Sequence, residues 1–101
     1  MKVIFISGPY RAKTYMGIHR NIEEARKAAI QLWQQGWAVI CPHMNTAHFD
    51  GACPDQVWLN GALEILHRCD AVYVLKKWET SEGTKQEIYW AKVWNKEIIY
   101  E

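Results

Sequence analysis

The stretch that decides the fold is residues 71–94, AVYVLKKWETSEGTKQEIYWAKVW. It begins with Ala71–Leu75, a run of β-branched, aromatic and aliphatic residues that predicts a buried strand. From Thr84 to Trp94, apolar residues recur at three- and four-residue intervals, which predicts a helix. Glu87 therefore lies near the start of a helix that follows the carboxyl end of a strand. Open α/β sheets bind their ligands at that edge.

The same alternation of strand and helix patterns extends over the rest of the chain. Four strands separated by helices predict an α/β fold, a small doubly wound and mainly parallel sheet with helices on both faces, Rossmann-like or flavodoxin-like. The predicted strands are Lys2–Ser7, Trp37–Cys41, Ala71–Leu75 and Glu97–Tyr100; the predicted helices run from about Tyr15 to Gln35, from about Asp55 to Arg68 and from Thr84 to Trp94, with a loop over residues 43–54.

The length and composition indicate one globular domain over residues 1–101, half of them hydrophobic. Twelve basic and 11 acidic residues are interspersed and give a net charge of +1, so a nucleic-acid polymer is not an expected partner. No apolar run approaches the roughly 18 residues of a membrane span, and no membrane partner is expected. Three cysteines are an odd number, which favours a reducing cytoplasm over a disulfide framework.

Six tryptophans are unusual for a chain of this size. Four of them lie in or beside predicted helices, and a small domain has limited room for side chains so large. Because exposed aromatic clusters mark interfaces, a homo-oligomer is expected.

Cysteine and histidine side chains also cluster between the second strand and the third helix. Cys41, His43, His48 and Cys53 form the pattern C-x-H-x4-H-x4-C, which is not a usual spacing for structural zinc. No third group that could orient a histidine base beside a cysteine nucleophile is identifiable. We therefore expect no metal and no cofactor.

Four segments are expected to converge at the carboxyl edge of the sheet: Ser7–Tyr10, residues 42–54, the start of the second long helix, and Ser81–Glu87. Gly8 allows close backbone approach to a ligand, and its turn can bind an anion. Arg11 and Lys13 are either cations of this site or solvated loop charges. Ser81 either caps its helix or binds a phosphate there, and its position in the sequence leaves both open.

Three ordered motifs resemble the nucleoside 2-deoxyribosyltransferase superfamily, particularly its short, phage-type members. They are Ser7-Gly-Pro-Tyr10, Asp70-Ala-Val, and Ser81-Glu-Gly-Thr-Lys-Gln-Glu87 leading to Ala91. The resemblance implies that Glu87 attacks the anomeric carbon of a deoxyribosyl group and forms a covalent glycosyl-enzyme. Water then completes hydrolysis, and an incoming base completes transfer. It also implies that Tyr10 helps to orient the Glu87 carboxylate.

The resemblance further implies a substrate. Relatives that act on free nucleosides carry aspartate where this chain has Ser81, whereas the nucleotide hydrolases carry serine, so a nucleoside 5′-monophosphate is favoured over a nucleoside. Relatives also place an aspartate near Gly61–Leu63 to manage the proton of the leaving base; here Glu64 or Asp55 is the expected substitute. The expected substrate-binding residues are Ser7, Gly8, Pro9, Arg11, His43, Asn60, Ser81, Gly83 and Thr84.

Two other functions are compatible with this sequence. One is a non-catalytic protein of the same fold that binds or sequesters a nucleotide, for which Glu87 would be dispensable. The other is an interaction module that uses the tryptophan-rich helices, for which Trp90 would matter and Glu87 would not.

Overall fold

The structure, a computed structural model, describes all residues from 1 to 101. Strands and helices alternate along the chain as predicted, with one additional short helix after the second strand. The strands are β1 (Val3–Ser7), β2 (Ala38–Ile40), β3 (Ala71–Val74) and β4 (Glu97–Tyr100); the helices are α1 (Tyr15–Gln34), α2 (Pro42–Asn45), α3 (Asp55–His67) and α4 (Glu82–Val93), with a 3₁₀ turn at Trp78–Thr80.

The four strands form one parallel sheet in the order β2-β1-β3-β4. Ile4 of β1 pairs with Val39 on one side and with Ala71 on the other. The chain therefore runs outward from β1 to β2 and then returns to the opposite side of β1. This reversal makes the gap between the carboxyl ends of β1 and β3 the topological switch point, where ligands bind in such sheets. The predicted α/β fold class is confirmed.

Helices cover both faces of the sheet because alternate residues of β1 point in opposite directions. Ile4 and Ile6 are fully buried against α1. The α1 residues that face the sheet are mostly alanines, whose small side chains allow close packing. Phe5, between them, is buried on the other face against Leu66 of α3 and Ile88 of α4. Both helical layers therefore pack on β1, one of the two inner strands, whose last residue lies at the switch point.

The structure corrects several predicted boundaries, most of them by one residue. Residues 42–45 form one helical turn where a loop was predicted, and Pro42 suits its first position because proline needs no N–H there. β2 is shorter than predicted. α4 begins at Glu82, two residues before the predicted start, because the Ser81 hydroxyl accepts the backbone N–H of Thr84 at 3.2 Å and caps the helix.

The outer surface of α4 carries an apolar stripe of Tyr89, Trp90 and Val93, all of them exposed. The rings of Tyr89 and Trp90 meet edge to face, with centroids 5.3 Å apart. This stripe is the surface that the expected homo-oligomer, or the alternative interaction module, would use, and both stay predictions. No helix in the structure has the length and apolar character needed to cross a membrane.

Candidate active site

A cavity of about 540 Å³ opens at the switch point. Its volume falls within the range of about 300–1,000 Å³ that is usual for small-molecule sites. The four segments expected to converge at this edge all contribute to its wall. The predicted site residues that line it are Gly8, Pro9, Tyr10, Arg11, His43, Asp55, Ser81, Gly83, Thr84 and Glu87.

Glu87 lies in the second turn of α4 with its carboxyl group directed at the end of β1. The hydroxyl of Ser7, which is only 1% exposed, donates a hydrogen bond to Glu87 Oε1. Burial raises the pKa of Glu87 from 4.5 to about 7, against the hydrogen bond from Ser7, which lowers it. The carboxyl group is therefore desolvated, fixed by one donor, and able to exchange a proton near neutral pH.

The start of α4 forms a second polar part of the wall. In an α-helix the first N–H groups have no partner within the helix, and here those of Glu82 and Gly83 are in that position. The hydroxyl of Thr84 is buried and has no hydrogen-bond partner. Ser81 caps the helix as an acceptor, which leaves its own hydroxyl proton available to a ligand. These donors together form a site that suits an anion.

His43 lies on α2, buried below the loop that follows β1. Its Nε2 is 2.9 Å from the carbonyl oxygen of Pro9, so this nitrogen carries the proton and donates. Burial lowers the pKa of His43, and the ring is therefore neutral at physiological pH. Nδ1 is consequently an acceptor, and it is buried without a partner.

Tyr10 does not take the place that the resemblance implied. Its hydroxyl donates to Asp50 Oδ1 at 2.9 Å and accepts the backbone N–H of His48 at 3.3 Å. Desolvation raises the pKa of Tyr10, and Asp50 raises it further. The hydrogen bond to the Glu87 carboxyl comes from Ser7 instead. Tyr10 therefore ties the loop after β1 to the loop after α2, and Asp50, in the loop expected to line this edge, adds a carboxylate to the cavity.

Arg11 and Asp55 form an ion pair at the mouth of the cavity. Both side chains are well exposed, and such pairs contribute at most about 1 kcal/mol to stability. Arg11 is therefore a cation of the site, but one already matched by a carboxylate. Lys13, the other candidate cation, does not line the cavity.

Asn60 and Glu64 were predicted as site residues, and the structure places both elsewhere. The side chain of Asn60 accepts a hydrogen bond from Gln56 at 2.8 Å, and Glu64 pairs with Arg68 at 3.2 Å. Both line a separate groove between α3 and α4, beside Trp90 and Trp94. The reason is helical geometry: at about 100° per residue, the cavity-facing positions of α3 (Asp55, Trp58, Leu59 and Ala62) lie opposite these two side chains.

The four cysteine and histidine residues between β2 and α3 do not come together. No three His, Cys, Asp or Glu side chains in the structure form a group that could hold a metal ion. His48 stacks on Tyr15 with ring centroids 5.9 Å apart, away from Cys41. Burial raises the pKa of the Cys41 thiol, which makes it a poor nucleophile.

Residues 2–100 match the profile of a family described as a domain of unknown function, DUF4406. The chain belongs to the DUF4406 family. A comparison with curated proteins gives no match. Among solved structures, a 2-deoxyribosyltransferase from the psychrotolerant bacterium Bacillus psychrosaccharolyticus superposes with a TM-score of 0.75 and 16% identity. The match covers 97% of this chain and 70% of that one.

At this level of identity, the likeness to the 2-deoxyribosyltransferase establishes a shared fold. The DUF4406 chain described here therefore has a nucleoside 2-deoxyribosyltransferase-like fold, as the three motifs implied.

Gly8 is required by packing in this DUF4406 protein. A Cβ at this position would lie 2.6 Å from Leu75 Cδ1 and 2.7 Å from Leu75 Cβ. Leu75 Cβ is attached directly to the backbone, and the Leu75 N–H donates to Ser7 O at 2.8 Å, so the leucine has little freedom to move. The backbone at Gly8 therefore approaches Leu75, which directly follows the adjacent strand β3, closely.

Replacing Gly8 by alanine is expected to lower the free energy of unfolding by about 1–3 kcal/mol, the usual cost of overpacking. Urea denaturation followed by tryptophan fluorescence measures this change. Gly61→Ala is the matched control, because a Cβ there meets nothing within 4 Å and alanine is the better helix former. Equal stability of Gly8→Ala and the wild-type protein would contradict the packing argument.

Proposed function

We propose that this DUF4406 protein is an N-glycosidase that releases the base of a nucleoside 5′-monophosphate or nucleoside through a covalent glycosyl-Glu87 intermediate, with transfer to another base as a variant. The observation that carries this proposal is the Glu87 carboxyl group, which lines a cavity of suitable size and is held by Ser7. A desolvated carboxylate with one oxygen free matches the requirement for a nucleophile at an oxocarbenium-like carbon.

The proposed reaction has two steps. In the first, Glu87 Oε2 bonds to the anomeric carbon as the bond to the base nitrogen breaks, and the nitrogen takes the electron pair and a proton that reaches it from water through a neighbouring carboxylate. In the second, water attacks the same carbon, the ester bond breaks, and the carboxylate is regenerated as the water loses a proton to solvent or to a neighbouring carboxylate. Each displacement inverts the carbon, so the overall reaction retains its configuration.

Asp55 is the predicted proton donor that lies in the cavity, and Asp50 joins it there. Asp55 is paired with Arg11, and Asp50 accepts the hydroxyl of Tyr10. Glu64 is excluded from this role by its place in the other groove. General acid assistance of this kind contributes about 10²–10⁴-fold to a rate.

The start of α4 is the proposed seat of a 5′-phosphate. The free N–H groups of Glu82 and Gly83, the unpartnered Thr84 hydroxyl and the helix dipole all favour a negative charge. Carboxylates on the same wall oppose it. Asp55 already matches Arg11, Glu82 pairs with Lys85 at 3.3 Å, and neither Asp50 nor Glu87 forms an ion pair. A nucleoside therefore belongs in the test beside each nucleotide.

Nucleotide binding without catalysis is the second candidate. It is favoured by one observation: with a pKa of about 7, Glu87 is protonated in about half of the molecules at neutral pH, and the protonated group is not a nucleophile. A binding protein would keep the cavity and the anion site but would have no need of the charged carboxylate.

Base release from a panel of ribo- and deoxynucleoside 5′-monophosphates, each paired with its nucleoside, tests the proposed function. We expect the wild-type protein at pH 8 to free the base of at least one member, with chromatography identifying the base. Faster release from the nucleotide than from its nucleoside would support the anion site at α4. If nothing is released but a nucleotide raises the melting temperature, the protein is a binder and the glycosidase proposal fails.

A further inference from the structure

The direction of the Ser7 side chain follows from the alternation of side chains along β1. It follows Phe5 by two residues, so its side chain points to the same face of the sheet, the face that α3 and α4 cover. Its backbone is held by the ladder, where Ser7 pairs with Val74 and its carbonyl oxygen accepts the N–H of Leu75. The hydroxyl therefore projects from a rigid strand towards the second turn of α4.

The two oxygens of Glu87 have different surroundings. Oε1 accepts the hydrogen bond from Ser7. Oε2 has no hydrogen-bond partner within the protein. It is not fully buried, unlike the two unpartnered atoms His43 Nδ1 and Thr84 Oγ1. Since Glu87 lines the cavity, Oε2 is the carboxyl oxygen left free for a ligand.

We propose that Ser7 is a positioning residue that holds Glu87 Oε1 and thereby selects Oε2 as the nucleophilic oxygen. This inference rests on the proposed function, which it deepens. During attack, Ser7 fixes the rotation of the carboxyl group, so that one oxygen is aimed at the anomeric carbon. In the glycosyl ester, Oε1 becomes the carbonyl oxygen, and the same hydroxyl continues to donate to it.

The second step gains from the same contact. When water displaces the Glu87 carboxylate from the anomeric carbon, the electrons of the C–O bond pass to Oε2, and the negative charge spreads over both carboxylate oxygens. The Ser7 hydroxyl strengthens its hydrogen bond as this charge develops, because bonds to charged acceptors are stronger than bonds to neutral ones. Ser7 thus assists both formation and breakdown of the intermediate without forming a bond to the substrate.

Ser7→Ala removes only the hydroxyl from a fully buried site and leaves the strand intact, whereas Ser7→Cys restores a weaker donor. We expect Ser7→Ala to lower kcat by roughly 10- to 100-fold with little change in KM, since a hydrogen bond to a charged group is lost. The acidic limb of the pH profile should move to higher pH, and Ser7→Cys should recover part of the loss. An unchanged kcat and pH profile would overturn the proposal.

Titration of the Glu87 carboxyl carbon by NMR keeps the proposal testable if no substrate is found. The Glu87→Gln spectrum identifies the resonance. In Ser7→Ala the midpoint should move upward, because the donor that stabilises the ionised form is gone. Thr46→Ala, which removes a hydroxyl that donates to the carbonyl oxygen of Pro42, should leave it in place. A midpoint equal to that of the wild type overturns the role of Ser7. A moved midpoint without base release supports the Ser7–Glu87 contact while the glycosidase fails.

Discussion

Glu87→Gln is expected to lower base release by on the order of 10³-fold or more, to the background level. An amide oxygen is not nucleophilic enough to displace the base, whereas the amide has nearly the shape of the carboxyl group it replaces. Its Oε1 can still accept the hydroxyl proton of Ser7, so the cavity and the start of α4 should keep their structure. Initial rates of base release, together with nucleotide binding by calorimetry, separate loss of chemistry from loss of binding.

Glu24→Gln is the matched control for this experiment. It makes the same substitution at an exposed glutamate of α1, whose carboxylate pairs with Lys27 on the surface. Its rate should equal that of the wild type. Full activity of Glu87→Gln would remove Glu87 from the mechanism and leave the cavity as a binding site.

The same substitution is expected to make the folded protein more stable at alkaline pH. Folding raises the pKa of Glu87 from 4.5 to about 7, so below 4.5 the group is protonated whether the chain is folded or not. Between these values only the folded state holds the proton, and stability falls as the pH rises. Above pH 7 the charged Glu87 lowers the free energy of unfolding by its full amount, which is about 3 kcal/mol for this difference in pKa. Glutamine does not titrate and escapes it.

Urea denaturation of both proteins at pH 4.5, 6, 7 and 8 measures this effect. The stability of Glu87→Gln relative to the wild type should increase across the series by about 3 kcal/mol, with most of the change between pH 5 and pH 7. Because other titrating groups are common to both proteins, the difference between them isolates Glu87. A constant difference at every pH would show that the carboxyl group is not desolvated.

These two results have one physical origin. In the proposed reaction the charged form of Glu87 is the nucleophile, and it is also the form that the buried position destabilises. A cost in stability at a residue proposed to act in catalysis is in keeping with the general trade-off between stability and activity. Ser7 limits the cost by donating to the charged group.

Within the site, the sequence predicted segments better than it predicted individual contacts. Glu87, Ser81 and Thr84 were placed correctly because strand and helix patterns bring the start of α4 to the ligand-binding edge. The sequence did not indicate the contact between Ser7 and Glu87, because the two residues lie 80 positions apart. The loop over residues 42–54 was placed at this edge, but Asp50 was not singled out, because that stretch has no period and its contact with the Tyr10 hydroxyl depends on the tertiary structure.

The sequence by itself determined the α/β fold, because buried strands and amphipathic helices have periods that can be read locally. It also determined which edge of the sheet carries the site. Only the tertiary structure decided which side chains meet there. The direction of the Glu64 side chain depends on the rotation of α3 about its axis. The hydrogen-bond partner of Glu87 depends on how α4 packs against the end of β1. Both are set by packing between segments distant in sequence, which no local pattern records.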